Sequence, residues 1–339
     1  MKKKTLTLLT VTSKNKKSKL SYYKRIFSAY LINKNSHLTF WHGEPEVNDN
    51  APINEIGEYY MPLLYKARYQ GPFDGEGIPM LDYKGKVGKQ YNPIAIAQYG
   101  LGHYNFYKRT GEKKHYSIFL KQADWMERNL ERNPKGLHVW NHHFDWEYRQ
   151  YLKAPWYSAL SQGQGISLLI RAFVETKEKR YFDAVKNAFE SFKKEISQGG
   201  VKYTDENGFI WFEEALVNPP THTLNGFIWA LWGVNDYYIF AKEETAKTLF
   251  DEAVRTLEKN LDQFDIGFWS LYEQSGTMLK MVASHFYHSL HIVQLKIMYT
   301  LTKKEIFKKY AEKWSAYQKK YFNRKLALAY KIIFKLLYY

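Results

Sequence analysis

From residue 93 onward the chain alternates two kinds of segment. The first is apolar on nearly every side: "IAIAQYGLGHYNFYKRT", "SALSQGQGISLLIRAFVET", "TLNGFIWALWGVNDYYIF" and "YHSLHIVQLKIMYTLT". The second carries one apolar stripe among charges: "SIFLKQADWMERNL", "DAVKNAFESFKKEI", "TLFDEAVRTLEKNL" and "KKYAEKWSAYQKKYF". Short charged turns at 110–116, 176–182, 241–247 and 303–307 join each pair. A helix that is apolar all round is enclosed, and a striped one lies outside. The pattern therefore predicts four helical hairpins starting near 93, 158, 223 and 287, a repeat of about 60–65 residues. Hairpins that cannot bury their faces alone must stack or close. An inner ring of apolar helices inside an outer ring of amphipathic ones is a mainly α fold, an α/α toroid. An open solenoid would leave its inner helices polar on the concave side.

The segments between hairpins, roughly 133–157, 198–221 and 263–282, are long for simple connections, and long ordered loops tend to be functional. Each follows an outer helix, so all three are expected on one end of the toroid, lining a cleft with Trp, Tyr, His and Glu. Residues 1–90 are rich in Gly, Pro, Tyr and Lys and lack a helical period, which predicts an N-terminal region of short strands and loops packed on the main domain. The toroid then spans 91–322, and 323–339 reads as an amphipathic basic helix with Arg324, Lys331 and Lys335 on one stripe. That last helix has two readings: a final outer helix packed on the toroid, or a segment lying on an anionic membrane surface.

Charge narrows the class of partner. The formal net charge is +16 and aromatics make up 18% of the chain. A strongly basic surface attracts polyanions. Aromatics serve both sugar clefts and single-strand nucleic-acid sites. No RNA-recognition or zinc-finger signature is present and the aromatics are spread along the chain, so nucleic acid is not expected, while an acidic polysaccharide, an anionic membrane surface and a solvated Lys-rich face stay open. Cysteine is absent, which removes disulfides, thiolate catalysis and Cys-ligated metals. The N-terminus, basic and then only weakly apolar, does not read as a signal peptide. "FIWALWGV" (227–234) is far short of the roughly 18 residues of a membrane span. The expected location is cytoplasmic, with peripheral membrane contact through the C-terminal helix and a homodimer both left open.

Candidate chemistry falls in the loops and at the starts of inner helices. Glu213 and Glu214 follow the strand-like "FIWF", and neighbours on a strand face opposite ways, so one of them can enter a cleft. A glycosidase would need a second carboxylate, from Asp145, Glu147, Asp265 or Glu273. His138, His142 and His143, and His288 with His291, match no established metal spacing, so no metal is expected and rings hydrogen-bonding in a cleft are. Gln162, Gln164 and Asn225 open inner helices, where an amide contacts a ligand or caps the helix. Tyr272 and Tyr287 flank one connection. A tyrosine hydroxyl titrates near 10, and nearby cations make it a usable acid or base.

These residues carry a resemblance. "GIPM" (77–80), "NPIAIAQYGLGHY" (92–104), "WYSALSQGQGISLLIRAF" (156–173), "WFEE" (211–214) with "LNGF" (224–227), "DIGFWSLY" (265–272) and "YHSLHIVQL" (287–295) occur in the order found in the D-glucuronyl C5-epimerase family. The chain resembles that family's C-terminal α/α domain over about 70–320. The resemblance implies inversion of glucuronate C5 within an acidic chain such as heparosan, giving iduronate, with no redox cofactor. It assigns proton transfer to Tyr272 and Tyr287, with Glu214 beside them. Substrate contacts would come from Gln162, Gln164, Asn225 and His288, with Trp146, Trp211 and Tyr83 as aromatic platforms. The family pattern has a tyrosine directly after the Glu pair, where this chain has Ala215. Either the remaining groups suffice, with His222 or Tyr83 as stand-ins, or the substrate differs, or activity is lost. A hydrolase or lyase on uronate polymers and a non-catalytic binder are the alternatives.

Overall fold

The computed structural model describes residues 40–147 and 150–338. The basic N-terminal stretch 1–39, including the segment read against a signal peptide, lies outside them. Four α-hairpins form the body: α2 (Pro93–Thr110) with α3 (Lys113–Arg128), α4 (Ala159–Thr176) with α5 (Lys179–Lys193), α6 (Leu224–Ala241) with α7 (Glu244–Asn260), and α8 (His285–Thr302) with α9 (Glu305–Lys319). The fold is an α/α toroid, with the first helix of each pair inside and the second outside. A four-residue helix α1 (Leu64–Ala67) precedes them and α10 (Tyr321–Tyr338) follows.

The sequence sets these boundaries locally. Asn92 caps α2, its Oδ1 accepting from the backbone N–H of Ile94 and Ala95, and Pro93 occupies the first position, where no N–H is needed. Ser158 caps α4 and Ser284 caps α8 in the same way. Every inner helix is 18 residues long and ends on one residue in the left-handed region: Gly111, Lys177, Lys242 or Lys303. Each outer helix then begins two residues later, which is why the four hairpins follow one repeat. Outer helices bury one stripe. In α5 it is Tyr181, Ala184, Val185, Ala188, Phe189 and Phe192. α4 and α6 meet backbone to backbone at Gly163 and Gly233, where an added Cβ at Gly233 would lie 2.3 Å from the Gly163 Cα.

Paired short strands fill the first two long connections. β3 (Glu131–Arg132) pairs antiparallel with β4 (His138–Val139), β5 (Trp146–Glu147) with β6 (Tyr151–Leu152), and β7 (Lys202–Thr204) with β8 (Ile210–Phe212). An earlier ribbon pairs β1 (Met80–Asp82) with β2 (Lys89–Tyr91). These connections all stand at the N-terminal ends of the inner helices.

Residues 40–67 enter the ring. Asn105, Arg171 and Asp236 each stand twelve residues after the first residue of α2, α4 and α6, at 93, 159 and 224. Together they grip the segment. Asn105 accepts from the Tyr59 N–H and donates to the carbonyls of Met61 and Pro62. Arg171 donates to the Gly57 carbonyl and to Asp236 at 2.6 Å. The Tyr60 hydroxyl donates to Asp236 at 2.7 Å. The Arg171–Asp236 pair is buried, each side chain 1% exposed. The segment also touches α8, with the His42 ring 5.0 Å from Phe286 and 6.2 Å from Tyr287. The hydropathy pattern gave no hint of this insertion, because the segment has no helical or strand period.

The C-terminal helix α10 packs on the body. Asn323, Ala327 and Phe334 are buried, while Phe322, Leu328, Ile332, Leu336 and Leu337 are exposed. Among the described residues, no helix is long and apolar enough to cross a membrane.

Candidate active site

The Glu pair divides after β8. Glu213 is fully buried, accepting from the His222 backbone N–H at 3.1 Å and lying 2.5 Å from His222 Nδ1. Glu214 faces the other way, onto the first turn of α6. A Cβ added to Gly226 would fall 2.2 Å from Glu214 Oε2 and 2.7 Å from its Cβ, so only glycine leaves room for this side chain. Oε2 is enclosed and has no hydrogen-bond partner among the described residues. Burial, reinforced by the Glu213 charge, pushes the Glu214 carboxyl up to about 7.

The same helix start holds Tyr272. α6 has no side-chain cap, and the Leu224 N–H donates instead to the Tyr272 carbonyl at 3.1 Å. Gln274 N–H donates to the Thr221 carbonyl at 2.7 Å, fixing the tyrosine segment to the Glu213–His222 loop. The Tyr272 ring meets Tyr287, in the first turn of α8, edge to face at 4.8 Å. Lys331, from α10, places Nζ 5.5 Å from the Tyr272 ring centroid and donates to the Val282 carbonyl at 2.7 Å. Burial pushes Lys331 down to about 7, with Lys335 acting the same way and Glu273 opposing. Burial pushes Glu273 up to about 7. Tyr272 thus meets Tyr287 and Lys331, and its backbone is tied to the same turn of α6 that seats Glu214.

Deeper in the ring, polar groups are enclosed without protein partners among the described residues. They are both amide atoms of Gln164, the Ser167 hydroxyl, Asn225 Oδ1 and Gln294 Oε1. Gln164 and Ser167 stand near the Tyr59 hydroxyl without reaching hydrogen-bond geometry. Gln294 Nε2 donates to the Asn225 carbonyl at 3.0 Å, so Asn225 and Gln294 are neighbours. Buried polar atoms are normally satisfied, so these unpaired groups stand out in the core of the ring.

Other candidates are placed elsewhere. Gln162 is buried, accepting from the Trp140 N–H and donating to Ser161 Oγ, so it holds a loop rather than facing a ligand. His288 is buried, stacked 3.7 Å from Trp269, with Nε2 donating to the Trp314 carbonyl at 3.1 Å and Nδ1 2.8 Å from Ser270 Oγ. His291 reaches the same hydroxyl at 3.0 Å. Both rings are core fasteners, which corrects the assignment of His288 to substrate. Trp211 is 1% exposed, stacked on His222 and donating to Asp205. Tyr83 is 3% exposed, its hydroxyl accepting from Asn92 and its ring against Phe144. Neither ring presents a platform. Trp146 is half-buried, edge-on to Tyr83.

Tyr83 is thus enclosed with Asn92, and His222 is paired with Glu213. Asp145 and Glu147 are exposed, and Asp265 is held by Trp314 and Lys313. Among the described residues no three His, Asp or Glu groups cluster as metal ligands. Lys331 and Gly226 are the site residues that sequence reasoning missed. Lys331 sat on a visible stripe of the last helix, but nothing in one dimension shows which face meets the tyrosines.

The fold is shared with known sugar enzymes. A sugar epimerase from a ruminal bacterium superimposes with a TM-score of 0.53 at 11% identity, over 88% of this chain and 87% of that one. This likeness defines the class at the level of the fold, an α/α toroid. The chain belongs to the D-glucuronyl C5-epimerase family, whose C-terminal region matches residues 134–316, more than half of the chain. It is 31% identical over 220 residues to the D-glucuronyl C5-epimerase of Caenorhabditis elegans, covering 60% of this chain but only 35% of that protein. It is 25% identical over 275 residues to an uncharacterized protein of Methanocaldococcus jannaschii, covering 75% of this chain and 88% of that one.

Proposed function

We propose that this protein inverts C5 of D-glucuronate residues within an acidic, heparosan-like polysaccharide, giving L-iduronate. The C5 hydrogen lies alpha to the carboxylate. A base removes it as a proton, the C–H electron pair passes into an enolate of the carboxyl group, and an acid returns a proton to the opposite face. The balance is redox-neutral. The observation that carries this reading is the placement of Glu214 and the Tyr272 backbone at the start of α6, with the Tyr287 ring from the first turn of α8 4.8 Å from the Tyr272 ring. A Glu214 carboxyl held near 7 can exchange protons at neutral pH. Net charge of +16 would draw in the polymer.

Incubation of heparosan and related glucuronate polymers in D₂O should place deuterium at C5, and Tyr287→Phe should reduce it at least about 100-fold. No exchange on any polymer of the panel would end this reading. Ala215 favours a second one, a non-catalytic polysaccharide binder, which predicts binding without exchange. A hydrolase is less well served, because Glu213 is committed to His222; chain shortening would support it, and new absorbance from an unsaturated uronate would mark a lyase.

A further inference from the structure

Lys331 is an anomaly of packing. The stripe of α10 that faces the body is Asn323, Ala327 and Phe334, and Lys331 falls on the same stripe. Arg324 and Lys325, by contrast, are exposed. A lysine turned inward loses hydration, and its position calls for a partner that offsets the loss. In this structure Nζ donates to one carbonyl, that of Val282. An ammonium carries three N–H donors, so this contact uses one.

Its surroundings are those of the proposed reaction. Val282 is bridged to Leu271, and Met281 accepts from the Tyr272 N–H, so the lysine anchors directly across from the strand-like stretch that carries Tyr272. The charged and titratable groups facing it are Lys335 on its own helix, Glu273 and Tyr272 on that strand, and His291 on α8. A second inward lysine is differently placed. Lys66 is 3% exposed and caged by the rings of Phe40, Trp41 and Tyr65 at 4.3, 4.8 and 5.1 Å. Lys331 keeps part of its side chain exposed, and its Nζ stands beside the Tyr272 ring.

We infer that Lys331 is the cation that receives the uronate carboxylate, so that the C-terminal helix, which lies beyond the family-matched residues 134–316, completes the site. This inference rests on the uronate reading above. Loss of the C5 proton moves negative charge onto the carboxyl oxygens, and a cation already in place there stabilises that charge more than it does the ground state. An ammonium desolvated to about 7 exists in both forms at neutral pH, and an arriving carboxylate would draw it to the charged one.

The test is made on the full chain with Lys331→Met, which keeps the length and apolar stem, and Lys331→Arg, which keeps the charge. Binding of a heparosan tetrasaccharide is compared with binding of the same tetrasaccharide after reduction of its carboxyls to alcohols. Wild type is expected to favour the acid at least about 10-fold, Lys331→Met to bind both alike, and Lys331→Arg to recover the preference. C5 exchange should fall at least about 100-fold in Lys331→Met, with an unfolding midpoint at neutral pH no lower than that of wild type. If Lys331→Met keeps the acid preference while wild type exchanges C5, the inference is overturned and the function stands. If wild type neither binds nor exchanges, both are overturned.

Discussion

The strictest test of the site's geometry is Gly226→Ala, because its outcome follows from atomic positions and does not require the substrate. The new methyl would fall 2.2 Å from Glu214 Oε2, 2.7 Å from its Cβ and 3.0 Å from its Cδ. The carboxyl end can swing away, but the Cβ contact cannot be relieved without moving the backbone after β8. Overpacking of this kind costs about 1–3 kcal/mol. Alanine also gains about 1 kcal/mol over glycine within a helix, so the net loss in the single variant is about 0–2 kcal/mol. In a Glu214→Gly background all three obstructing atoms are gone, and the same methyl should then be neutral or stabilising. The coupling in the double-mutant cycle is therefore about 1–3 kcal/mol. The backbone freedom that the Glu214→Gly change adds appears in both arms of the cycle and cancels. Urea unfolding of the four proteins at constant m measures the coupling. Additivity within about 0.5 kcal/mol would refute the claim that Gly226 exists to seat Glu214. On the proposed function, Gly226→Ala should also lower C5 exchange about as far as Glu214→Gln does.

Other expectations follow from the same structure. Glu214 is held near 7 against an ordinary 4.5, so the folded chain binds its proton more tightly and stability should fall as pH rises from about 4.5 to 7; Glu214→Gln should flatten that window in thermal unfolding. Lys331 is held near 7 against 10.5, so the folded chain binds its proton less tightly and stability should rise from about pH 7 to 10.5, an arm that Lys331→Met removes. Arg171→Met leaves Asp236 buried with its charge uncompensated and should cost about 3–5 kcal/mol, with much of that recovered by Asp236→Leu in the same chain. The membrane reading of α10 predicts sedimentation with anionic vesicles, lost when Leu328, Ile332 and Leu336 become Ser; absence of binding by the native chain would remove it.

Much of this protein was settled by local pattern. Apolar and striped segments alternating with a fixed period dictate four enclosed helices and four outer ones, because an apolar face must be covered whatever the fold's details. The caps at Asn92, Ser158 and Ser284 and the left-handed turns at the ends of the inner helices act within a few residues, so they too can be read in one dimension. Adjacency on a strand separated Glu213 from Glu214 for the same reason. The tertiary structure decided which polar side chains are free to do chemistry. His288, Gln162, Trp211 and Tyr83 look like ligand contacts in a line of letters, yet each is consumed by a core hydrogen bond or a ring stack made with residues far along the chain. Residues 57–62 carry no period, and only the facing Asn105, Arg171 and Asp236 give them a place inside the ring. Lys331 shows the limit most plainly. Its stripe on the last helix is periodic and visible, but the energy of turning a cation inward depends on Tyr272, Glu273 and Val282, which reach it only when the ring has folded.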